Sequence, residues 1–110
     1  MDELQALQVM SVAALLFFGV DYTEPVFRAH FGQGLDVIAN IWARFVALWL
    51  LGDGDLPEHP LWMFYWWKVY PTFDVAAKFV EVDPRTFRCA VLRMQTHCVM
   101  LGLVSNMCKL

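Results

Sequence analysis

Pro71-Thr72-Phe73-Asp74-Val75-Ala76-Ala77-Lys78-Phe79-Val80-Glu81-Val82-Asp83-Pro84-Arg85-Thr86-Phe87-Arg88 reads as a helix, a break and a second helix. Thr72 suits the N-cap of the first, because its hydroxyl accepts an otherwise orphaned backbone N–H, and Asp74 places negative charge in the first turn. Phe73, Val75, Ala76, Phe79 and Val80 supply an apolar face. Helical punctuation then fails at Glu81-Val82. Asp83 offers a fresh N-cap and Pro84 takes the first helical position, where its missing N–H costs nothing. Two short helices joined by a turn of three or four residues form a helix-turn-helix unit.

At about 100° per residue, the second helix, Pro84 to Cys98, gathers Phe87, Ala90, Val91 and Met94 on one side. That side is expected to face a core. Arg85, Arg88, Cys89, Leu92 and Thr96 fall opposite, with Arg93 on the flank. In a DNA-reading unit the second helix enters the major groove and its first residues meet base edges. Arg85, Thr86, Arg88 and Cys89 occupy those positions, and arginine's planar fork matches guanine or phosphate. Lys78 and Lys68 are candidates for backbone contacts. The same arginines equally suit a solvated helix face, and an outward Leu92 suits contact with protein.

Working upstream, Leu61 to Tyr70 is apolar on nearly all sides, with Lys68 as its one charge, and predicts a central helix packed all round. Its aromatic run is expected in the core, and Pro71 ends it. Gly52 to Pro60, with two glycines, two prolines and three acids, is the linker-like passage and is expected to be solvated. Leu35 to Leu51 carries Val37, Ile38, Ile41, Trp42, Phe45, Leu48 and Trp49 on one broad helical face. Thr23-Glu24-Pro25 opens a short helix that Gly32 stops. Asp2 to about Phe18 forms the first helix, with Leu4, Leu7, Met10 or Ser11, and Ala14 on one side. No stretch alternates apolar and polar residues as a half-buried strand does. The expected fold is all-α, a five- or six-helix bundle in a single domain of residues 1–110, with acidic helices over 1–51, a loop at 52–60 and the helix-turn-helix part over 61–110.

Composition sharpens this picture. The 110 residues are 59% apolar and only 17% charged, which excludes disorder and leaves more oily surface than a domain of this size easily hides. The net charge of −3 conceals a split at His59. Residues 1–59 hold Arg28 and Arg44 against eight acids, −6, whereas residues 60–110 hold Lys68, Lys78, Arg85, Arg88, Arg93 and Lys109 against Asp74, Glu81 and Asp83, +3. A basic half of this kind hints at a polyanion partner.

Cys89, Cys98 and Cys108 are odd in number and clustered, unlike a secreted disulfide framework, so a reducing intracellular setting is expected and the thiols are expected to be buried or half-buried. Their spacings do not suit structural zinc. Val9 to Val20 is too short to span a bilayer, and Leu35 to Leu51 carries Asp36, Asn40 and Arg44, so no integral span is expected. The start Met-Asp-Glu lacks the basic region of a signal peptide. Association with a membrane surface stays open on the apolar excess. The acids of the linker do not have calcium-loop spacing, neither Ser11 nor Ser105 lies in a nucleophile elbow, no His-Cys pair has a local signature, and no phosphate-binding glycine loop occurs. No metal, cofactor or catalytic group is therefore expected.

His59-Pro60-Leu61-Trp62-Met63-Phe64-Tyr65-Trp66-Trp67-Lys68-Val69-Tyr70-Pro71-Thr72, followed by Val82-Asp83-Pro84-Arg85-Thr86-Phe87-Arg88, resembles the N-terminal region of Harbinger-type transposases of the DDE endonuclease superfamily. There a helix of the form H-x-L-W-x-L-x-F-L-K-x-Y-P-T leads into a helix-turn-helix ending V-D-x-x-T-F-R-K-W. Phe31-Gly32 and Ile41-Trp42 match upstream positions in order, so the resemblance covers roughly residues 27–94. It implies weak, salt-sensitive binding of double-stranded DNA in the nucleus. The apolar excess and the outward Leu92 suit, as the alternative, a helical protein-protein interaction module that docks on a partner, whether a transposase catalytic domain or a second copy. Gln33-Gly34 stands in place of Thr-Ser, Phe73 in place of an acid, and Cys89-Ala90 in place of Lys-Trp, the last removing a charge from the reading helix. The family's nuclease is a separate domain with three metal-binding carboxylates. No Asp or Glu follows Met94 here, so these residues are not expected to form an enzyme.

Overall fold

The structure, a computed structural model, describes residues 2–19, 21–52, 54–69 and 72–102. Those residues form six helices and no strand: α1 (Glu3–Phe18), α2 (Glu24–Phe31), α3 (Leu35–Ala47), α4 (Glu58–Val69), α5 (Phe73–Phe79) and α6 (Pro84–Met100). The helical reading holds, and most caps lie where the sequence places them. Asp2 and Gln5 form a reciprocal capping box on α1, while the hydroxyls of Thr23 and Thr72 accept from the backbone N–H of Val26 and Val75. Asp83 Oδ1 accepts from the Arg85 N–H at 2.7 Å. Pro71 and Tyr70, expected at the close of α4, lie outside the described residues, as does Cys108.

α4 is the axis of the bundle. It packs on α1, α2 and α6, and α3 and α5 complete the shell against α1 and α6. His59 to Tyr65 are all buried, so the first part of the aromatic run is core, whereas Trp66 and Trp67 are half-buried and Val69 is exposed, so α4 is not packed all round as expected. Trp62 stacks on Phe87 of α6 (centroids 5.5 Å, 19° between planes), and Trp66 stacks on Phe73 of α5 (5.2 Å, 5°). Tyr65 faces the other way, against Phe17 of α1, His30 of α2 and Phe79 of α5. Phe17 in turn touches Phe31 and Phe79, so one set of rings joins α1, α2, α4 and α5. Such pairs add about 0.5–1.5 kcal/mol each beyond the area they bury. A radius of gyration of 13.1 Å is that of one compact unit of this length.

Three further expectations are corrected. On α1 the buried residues are Ala6, Met10, Ala13, Ala14 and Phe17, whereas Leu4 is 65% exposed. Small alanines bring α1 close to α3 and α4, and a helix apolar nearly all round gives periodicity no side to choose. α3 ends at Ala47, not Leu51, because Trp49 turns left-handed (φ 56) and the Leu50 N–H donates back to the Phe45 carbonyl at 3.0 Å. That is a Schellman stop without its usual glycine. It throws the Trp49 ring into solvent, 92% exposed, and leaves Leu48 outside the core. Finally, α4 begins at Glu58 rather than Leu61, so the linker is shorter than the composition suggests.

Candidate nucleic-acid interface

α5 and α6 pack on each other across the turn Val80–Asp83. The turn closes as α3 does: the Val82 N–H donates to the Ala77 carbonyl at 2.9 Å, and Glu81 sits left-handed with φ 60. Behind the turn, Phe87, Ala90, Val91, Met94 and Cys98 of α6 are buried. The inward face is therefore the one the spacing predicts, one turn longer. Outward, the first two turns of α6 expose Arg85, Thr86, Arg88 and Cys89, with Leu92 further along at 44% exposure. Neither Arg85 nor Arg88 has an ion-pair partner among the described residues. Lys78 of α5 is exposed as well. The neighbourhood is only modestly basic, since Lys78, Arg85, Arg88 and Arg93 share residues 72–102 with Asp74, Glu81 and Asp83.

Two predicted contact residues lie elsewhere or are engaged. Lys68 projects from the α2 side of α4, away from the faces that Trp62 and Trp66 turn to α6 and α5. Its stem lies over Gly32, where an added Cβ would sit 3.3 Å from Lys68 Cδ. Gly32 ends α2 with φ 76, so the ammonium is carried near the negative end of that helix. Arg93, on the flank of α6, is tied back to the linker: its Nε lies 3.3 Å from Asp55 Oδ1, and its Nη2 donates to the Gly54 carbonyl at 3.5 Å. Cys89 is exposed, contrary to the expectation of buried thiols, whereas Cys98 is buried and its thiol is pushed up to about 11 by desolvation.

Asp55 is the residue that sequence reasoning passes over. Expected to be solvated, its side chain is only 3% exposed, and His97 Nε2–H donates to its Oδ2 at 3.1 Å. The Gly52 N–H donates to the same oxygen at 2.9 Å. Burial pushes the carboxyl up, but Gly52, His97 and Arg93 together outweigh it and hold Asp55 below the usual range. His97 Nδ1 and Trp42 Nε1 are buried without a partner. His59, also buried, accepts the Leu56 N–H on Nδ1 at 3.2 Å. Burial, then the nearby Arg93 charge, lowers its pKa to about 4 against the opposing pull of Asp55. Arg93 and His97 stand four apart on α6, the one signal in the sequence that a shared acceptor waits on that flank.

No group of three or more His, Cys, Asp or Glu among the described residues has the geometry to hold a metal ion. No helix among them is long and apolar enough to cross a membrane. None of the family models, curated proteins or solved structures compared with this chain matches it.

Proposed function

We propose that the chain is a DNA-binding helix-turn-helix module, nuclear in setting, similar to the N-terminal part of a Harbinger-type transposase and without nuclease chemistry of its own. The observation that carries this reading is the outward pair Arg85 and Arg88 at the start of α6, without an acidic partner among the described residues, with Thr86 between them and a rigid aromatic backing of Phe87, Trp62 and Phe73. A preorganised helix end that offers two free guanidinium forks and a hydroxyl suits phosphates and base edges. Lys78 on α5 supplies a backbone contact. Arg93 is assigned to the fold, Lys68 to the α2 end, and Cys89 fills the place of a basic residue without adding charge. Binding is consequently weak and steeply dependent on salt.

Fluorescence anisotropy with mixed-sequence duplexes at low salt tests the proposal. Arg85→Ala with Arg88→Ala is expected to weaken binding at least tenfold and to reduce the salt slope by about two. Absence of binding at 50 mM salt, or unchanged binding by the double variant, refutes it. A second reading, a helical interaction module, is favoured by Trp49, since so exposed an aromatic side chain suits a protein contact. On that reading Trp49→Ala abolishes association with the partner, whereas the arginine variant leaves it intact.

A further inference from the structure

The outer face of α1 is an apolar surface that the bundle leaves uncovered. Leu4, Val12, Leu15 and Leu16 are 65, 58, 43 and 65% exposed, and Gln5 and Gln8 complete the face. No charged residue occurs between Glu3 and Asp21. A solvent-facing helix normally alternates a charged side with a buried one, and α1 lacks the charged side.

These six positions have a symmetry of their own. A two-fold axis passing level with Met10 pairs Leu4 with Leu16, Gln5 with Leu15, and Gln8 with Val12 of an antiparallel copy. Every outward position meets another outward position, which is the condition an isologous interface must satisfy. Each such pair takes one residue from either flank of the face, so the side chains interdigitate as the a and d knobs of a coiled coil do.

Charge selects the same arrangement. With 1.5 Å of rise per residue, antiparallel copies place their Asp2 carboxylates about 24 Å apart along the helices, well beyond the screening length at physiological salt. A parallel pair would crowd Asp2 and Glu3 of both copies at one end. We infer that α1 is a self-association surface, and that two copies of this chain pair antiparallel through Leu4, Val12, Leu15 and Leu16. One 16-residue helix per copy gives an interface near or below the about 1,200 Å² of stable complexes, so dimerisation is reversible and on the order of micromolar. The inference stands apart from DNA binding, because α1 and the exposed side of α6 are different surfaces.

Sedimentation equilibrium over roughly 1 to 100 µM tests it, with circular dichroism confirming that each variant keeps its helices. The native chain is expected to fit a monomer–dimer equilibrium. Leu4→Glu and Leu16→Lys, each on an exposed position, are each expected to raise the dissociation constant at least tenfold. Combined in one chain they place Glu against Lys at both ends, and association is expected to return to within about threefold of native. A native chain that stays monomeric at 100 µM overturns the inference, as does a combined variant no better than the single ones. Flotation with anionic vesicles in place of self-association assigns the face to lipid and overturns it equally.

Discussion

Acidification from pH 7 to pH 5 is expected to destabilise the fold through His59. The imidazole is buried among Trp62 and the linker, and its Nδ1 lone pair is occupied by the Leu56 N–H. Protonating that nitrogen breaks the bond and places a cation in an apolar site beside Arg93. In the fold the ring therefore resists protonation until about pH 4, whereas the unfolded chain takes the proton near 6.5. Between those values the unfolded state binds more protons, so stability is full above about pH 6.5 and falls as the pH drops. Linkage gives a loss of about 2 kcal/mol at pH 5, a large part of the margin of a small domain. Asp55, whose folded pKa is lowered, adds its own loss only as the pH falls through the ordinary carboxylate range and below it. Glu58, whose pKa burial raises, works in the opposite direction as it takes up a proton. Urea titration followed by tryptophan fluorescence reads the effect as a midpoint lower by roughly 1 M at pH 5. His59→Asn keeps an acceptor for the Leu56 N–H but does not titrate, and the pH 7 to 5 difference is expected to shrink below about 0.5 kcal/mol. Equal midpoints for the native chain at the two pH values, or an undiminished loss in His59→Asn, refute the reasoning.

Asp55→Asn removes the charge that Arg93 and His97 share and is expected to cost about 2 kcal/mol at pH 7, measured by the same titration; Arg93→Ala costs less, because that side chain is 48% exposed. A change under about 0.5 kcal/mol for Asp55→Asn contradicts the role given to the cluster. Glu81→Gly releases the left-handed strain in the α5–α6 turn and is expected to raise the melting temperature by a few degrees, whereas Glu81→Ala, which removes the charge but keeps a Cβ, leaves it nearly unchanged.

The legible parts of the fold are those that short-range chemistry determines. Thr23, Thr72 and Asp83 cap helices where the sequence places them, because a cap depends on residues two or three positions away. The buried side of α6 follows from its own periodicity, as does the core position of the first part of the aromatic run. The side on which α1 is buried does not, since Leu4 and Ala6 are both apolar and the choice between them belongs to α3 and α4. Trp49 ends α3 in a conformation that glycine ordinarily marks, so composition gives no warning. At the candidate interface, the outward Arg85 and Arg88 are readable from the helical wheel. The engagement of Arg93 is not, because Asp55 lies 38 residues away in a loop.

The ring contacts of Phe17 bear on how this chain can be divided. Charge draws a border near His59, but the rings ignore it: Phe17 from the acidic half lies against Tyr65 and Phe79 from the basic half. Neither part owns a complete interior. A fragment beginning at Leu61 would bare one wall of the aromatic cluster and take Phe17 away from Tyr65 and Phe79, so the arginine-bearing helices are not a cassette that can be cut out and transplanted.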